Sequence, residues 1–170
     1  MQSYILYFHS ILRYFILFFA VIVAVQSLMG LMGKKEFKPG NKSFALLLLI
    51  CCDLQLVMGL VLYYTFVIST GMLSGGNVMK DPVSRFWAVE HGFGMVVAII
   101  LVHIGYAAAK KPVLASDRKF KRLFWCSFLA LVIFVAMTPW EGKAVVGRPN
   151  IPAMPHSTGA APAADTAHAH

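Results

Sequence analysis

The sequence predicts an all-α integral membrane protein, a four-helix up-down-up-down bundle. Three observations carry that prediction. Hydrophobic residues make up 59% of the chain and charged residues only 13%, where a soluble domain carries roughly 25% charged residues. The apolar residues gather in four stretches, near 3–32, 43–69, 85–109 and 117–138, and ~20 apolar residues suffice for a helix to cross a ~30 Å hydrocarbon core. The cations are clustered: ten of the fifteen Lys and Arg lie in two short segments, Lys34, Lys35, Lys38 and Lys42, then Lys110, Lys111, Arg118, Lys119, Lys121 and Arg122. The formal charge of +8 therefore reads as positive-inside topology rather than as a nucleic-acid groove.

The first helix, 3–32, lacks a basic leader and a small-residue cleavage site, so it reads as a span and not as a removed signal peptide. Gly30 and Gly33 close it. Pro39, Gly40 and Asn41 in the next loop are turn residues. The second helix, 43–69, carries Asp53 and Gln55 near mid-span and a Tyr63-Tyr64 pair at its far end, suited to an interfacial belt. A Gly-rich connection through Gly75 and Gly76 leads to the third helix, 85–109. Pro112 then forbids its continuation, and Ser116 or Asp117 can cap the fourth helix, 117–138. Residues 1–140 thus form the membrane domain, and 141–170, rich in Pro, Ala and Gly, a flexible tail. Both basic loops are assigned to the cytoplasm and both termini to the periplasm of a bacterial inner membrane. Cys51, Cys52 and Cys126 fall inside the spans without zinc or redox spacing and read as packing or lipid-facing residues. Met154, His156, His168 and His170 in the tail read as incidental rather than as a copper or nickel site.

Ionisable residues inside spans are costly and point to function. Depths follow from ~1.5 Å rise per residue. His91 lies ~28 Å along its helix from Lys110, His9 roughly 37 Å from Lys34 and Arg13 ~31 Å from Lys34. Asp53 lies ~16 Å and Gln55 ~20 Å from Lys42, and His103 ~10 Å from Lys110. His9, Arg13, Glu90 and His91 thus gather at the outer end, and Asp53, Gln55 and His103 in the inner half. Two histidines from different helices of a bundle can hold a haem iron, and His9 and His91 match best by depth. Trp87 and Met95 flank His91 at helical spacing, and Gly92 and Gly94 leave space for a flat macrocycle. Arg13 and Arg85 suit haem propionates; alternatively, Glu90 neutralises Arg13 across the bundle. His103, twelve residues from His91, is rotated by about 120° from it. It is expected to pair with Asp53, Gln55 or a backbone carbonyl, or to serve a proton or quinone site.

With FHSILRY at the start, DLQLVMGLVLYY in the second helix and RFWAVEH followed by HIGYAAAKK in the third, the chain from Tyr7 to about Trp140 resembles a family of small bacterial four-helix membrane proteins labelled cytochrome b. The resemblance implies haem b and electron transfer, with His9, Arg13, Arg85, Glu90, His91 and His103 as functional positions. Two-haem transmembrane cytochromes use two histidine pairs. Three intramembrane histidines here leave one haem as the expectation, with quinone as a second candidate ligand. The expected function is electron transfer between quinol and a periplasmic partner. The alternative is a non-catalytic accessory subunit in a larger respiratory or transport membrane complex, or in a homo-oligomer. A third reading is a small metal or proton transporter using Asp53, His103 and Glu90.

Overall fold

The computed structural model describes residues 2–74, 78–143 and 146–147. Most of the tail assigned to 141–170, with His156, His168 and His170, lies outside them. The helices are α1 (Gln2–Met32), α2 (Pro39–Tyr63), α3 (Pro82–Arg85), α4 (His91–Lys110) and α5 (Ser116–Met137). A π-helical segment, Tyr64–Ile68, extends α2, and another, Phe86–Glu90, joins α3 to α4. Four of these runs are long and apolar enough to cross a membrane: Ser3–Met32, Pro39–Ile68, Pro82–Lys110 and Ser116–Met137. The protein is thus a multi-pass four-helix bundle. α1 packs on α2 and α5, and α4 packs on the same two helices. α1 and α4 are therefore diagonal partners across the bundle axis.

Its interior mixes small side chains with larger apolar ones such as Leu48, Phe120 and Phe134. Ala20, Cys52, Ala98 and Ala130 are fully buried, with Ala45, Ala108, Ala109 and Ser127 close to it. Phe8, Phe15, Phe18, Leu54, Val57 and Phe93 point outward. Large apolar side chains outside and small ones at helix contacts are expected where lipid solvates the former and the latter let backbones approach. The cysteines are free; Cys52 packs in the core, while Cys51 and Cys126 are half-buried.

Helix boundaries differ from the sequence reading where a residue serves a terminus rather than a turn. α2 begins at Pro39, because proline at the first turn loses no hydrogen bond, and Asn41 Oδ1 accepts the Lys38 N–H at 2.9 Å. α1 runs past Gly30 and ends at Met32. Lys34, at φ 47°, takes the left-handed position, and the Lys35 N–H returns to the Gly30 carbonyl at 3.0 Å. Gly30 serves packing instead, since a Cβ there would enter the Phe120 ring. Ser116 lies within α5 rather than capping it. Its Oγ accepts the Phe37 N–H at 3.1 Å, tying the two basic loops together.

The third span starts earlier than residue 85, with Asp81 as N-cap and Pro82 after it. The Asp81 carboxylate accepts the Ser84 N–H at 2.8 Å, and hydrogen bonding from the Ser84 side chain, then from this N–H, holds its pKa below the ordinary carboxylate value. The folded form prefers the ionised group. The cap's contribution is therefore complete above the ordinary carboxylate pKa and disappears as pH falls through the lowered one. Amide exchange at Ser84 should accelerate over that acidic range. In Asp81→Ala it should be fast at every pH, apart from the intrinsic pH dependence of exchange.

Candidate functional site

The end of the bundle away from the lysines is organised by the way α5 stops. Pro139 cannot supply an N–H, and the last carbonyls of any helix need donors from elsewhere. Here each of the four finds one. Phe134 O takes the Thr138 N–H at 3.1 Å and its hydroxyl at 2.6 Å. Val135 O takes Trp140 Nε1–H at 2.8 Å, and Ala136 O takes the Lys143 ammonium at 2.5 Å. Met137 O pairs with His91 Nδ1 at 2.8 Å. A carbonyl only accepts, so Nδ1 carries the hydrogen and the neutral ring holds its lone pair on Nε2. Fixing one imidazole nitrogen on a carbonyl is also how ligand histidines are oriented in metal sites.

The residues around His91 come from the π-segment before it. Phe86 and Trp87 set their rings 5.7 Å and 5.6 Å from the imidazole. The Ala88 carbonyl accepts the Tyr63 hydroxyl at 3.0 Å, which locks the outer end of α2 to the π-turn. π-turns inside helices often accompany functional positions. Arg85 and Glu90 form an ion pair at 2.7 Å. Glu90 therefore neutralises Arg85 beside it on the same span, not Arg13 across the bundle. The π-turn favours this pairing, because its wider i→i+5 winding brings residues five apart closer to one face than an α-helix does. Arg13 lies over the Tyr14 and Trp140 rings, 4.9 Å and 5.4 Å from their centroids.

His9, from α1, enters the same region. It is within electrostatic range of both Arg13 and His91. Gly59 of α2 faces its ring, so that a Cβ there would stand 3.4 Å from His9 Cε1. Gln55 Nε2 donates to the His9 carbonyl at 3.0 Å. Among the described residues, His9 Nδ1 and Gln55 Oε1 are buried without a hydrogen-bond partner. Each such atom costs about 1–3 kcal/mol, so the two leave unused hydrogen-bonding capacity at one place. Gly92 meets nothing, whereas Gly94 gives its space to Met137, whose Cγ would lie 2.6 Å from an added Cβ. The room expected for a macrocycle at Gly94 is therefore filled by protein.

Asp53 and His103 meet as the depths suggested, with Asp53 Oδ1 3.4 Å from His103 Nε2. His103 Nδ1 contacts the Ile99 carbonyl at 3.0 Å. Gln55 is not part of this pair. Depth alone grouped it there, but two residues turn a helix by about 200°, so Gln55 points to α1 while Asp53 points to α4. Sequence reading also missed Met137, whose role is its backbone carbonyl, and Trp140, which joins α5 to Arg13 after the helix has ended. The proline at 139 was the available signal for both.

Comparison of the chain with protein-family models, curated proteins and solved structures found no match. Among the described residues no group of three or more His, Cys, Asp or Glu is placed to hold a metal ion. A haem needs only two axial ligands from protein.

Proposed function

We propose that the protein is a b-type cytochrome-like electron carrier with one haem between His9 and His91. What supports the reading is that His9 and His91 lie at the same end of the diagonal helices α1 and α4, within electrostatic range of each other, with His9 Nδ1 buried and unpartnered. Diagonal helices present ligands to a central group from opposite sides. Bound haem supplies one-electron chemistry; what this chain contributes is placement. Met137 O sets the His91 tautomer, Phe86 and Trp87 limit its rotation, and Gly59 leaves room beside His9. Arg13 supplies positive charge near His9 for a propionate; Arg85 is already neutralised by Glu90 and is the weaker candidate.

The lysine-rich loops are assigned to the cytoplasm and the His9–His91 end to the periplasmic side of a bacterial inner membrane, by the positive-inside rule. Electron transfer between quinol and a periplasmic partner would then take place at the end where His9 and His91 would hold the haem. Alkaline phosphatase fused after Trp140 should be active and a cytoplasm-dependent fluorescent reporter at the same point dark. The opposite pattern would invert the topology and move the histidine end to the cytoplasm.

A further inference from the structure

A second polar site lies on the outside of the bundle, between α2 and α4. Asp53 and His103 stand within the apolar part of their spans, ~16 Å and ~10 Å along the helices from Lys42 and Lys110. Their side chains remain 47% and 48% exposed. Intramembrane ionisable residues usually face the bundle interior or a wet cavity; this pair faces outward. On the same helical faces, three or four residues away, are Ile50, Val57 and Ile100, all exposed. The surroundings are those of a ligand that arrives through the bilayer.

The pair also fixes what that ligand must offer. The Ile99 carbonyl accepts from His103 Nδ1, so a neutral His103 turns its Nε2 lone pair toward Asp53. Two lone pairs at 3.4 Å would repel, and attraction requires one proton held between imidazole and carboxyl. Among the described residues Asp53 has no other side-chain partner, so its second oxygen keeps acceptor capacity that no protein group uses. A hydroxyl donor carried on an apolar body would satisfy it.

We propose that Asp53 and His103 form a lateral binding site for a bilayer-dissolved hydroquinone, whose O–H donates to Asp53. Its use in electron transfer rests on the haem reading above, while the binding does not.

The test is photolabelling of the full chain in phosphatidylcholine nanodiscs with a decyl benzohydroquinone carrying a tail diazirine, kept reduced. Adducts should map to residues 50–57 and 100–107. Unlabelled decyl benzohydroquinone should compete, and its dimethyl ether, which lacks the O–H, should compete at least tenfold less well. Asp53→Leu and His103→Leu should each lower labelling about tenfold, while Asp53→Asn, retaining an acceptor oxygen, should lose less. Thermal unfolding of each variant identifies loss of fold, and the competition by the ether decides the matter in the wild type alone. Equal competition by the ether, adducts elsewhere, or full labelling of folded Asp53→Leu would overturn the site. So would occupation of this face by a second copy or another protein, seen as a cross-linked band that Asp53→Leu removes. Colourless protein that labels as expected sinks the haem and keeps this site; haem-loaded protein that does not label does the reverse.

Discussion

His91→Gln should remove the low-spin haem spectrum while leaving the fold in place. Glutamine keeps an N–H that can reach the Met137 carbonyl, so the α5 terminus retains a donor, but it supplies no imidazole to iron. His91→Ala removes both and should also destabilise the end of α5, by about 1–3 kcal/mol for a carbonyl left buried without a donor. His9→Ala should abolish the same spectrum with little loss of stability, since no hydrogen bond of its side chain is broken at Nδ1. His103→Ala should leave the spectrum intact. Optical spectra of the purified variants, read beside their unfolding temperatures, separate the ligand role of His91 from its capping role. A normal spectrum in folded His91→Gln would exclude it as a ligand.

Gly105→Leu should be among the most destabilising single changes in the bundle. A Cβ at Gly105 would already stand 3.0 Å from Cys126 Cβ and 3.4 Å from Leu123 Cδ1. The adjoining cavity holds only about 10 Å³, too little for the rest of a leucine. Overpacking of this kind costs about 1–3 kcal/mol, occasionally more, and here it separates α4 from α5 along with the His91–Met137 contact at their far end. Gly40→Ala is the control, because nothing lies near its added Cβ. Denaturant unfolding in detergent should show a large loss for Gly105→Leu and none for Gly40→Ala. Equal stability of the two would mean that α4 and α5 do not pack through Gly105.

Hydropathy and lysine placement were enough to read the spans, because each depends only on local composition. Depth along the helices was enough to bring Asp53 to His103, since rise per residue is fixed. Rotation was the missing coordinate. It separated Gln55 from Asp53, and the π-turn over Phe86–Glu90 added a residue that no propensity marks, turning Glu90 to Arg85. Backbone groups have no side-chain signature: Pro139 signals the helix end that frees the Met137 carbonyl for His91, and the Ala88 carbonyl that holds Tyr63 is legible only once the π-turn is placed. Pro39 and Pro82 were read as loop residues because proline is both a breaker and a good first-turn residue. Only the neighbouring Asn41 and Asp81, as donors' partners, tell the two apart.

A haem held by His9 and His91 is the proposal on which the electron-carrier reading depends. Its most direct test is the reduced-minus-oxidised absorption spectrum of the wild-type protein, purified from cells making ample haem. One low-spin b-type haem per chain is expected, with the sharp α and β bands of two imidazole ligands in the reduced form. Protein that is folded, monodisperse and colourless under those conditions would contradict it, and would leave the accessory-subunit reading in its place.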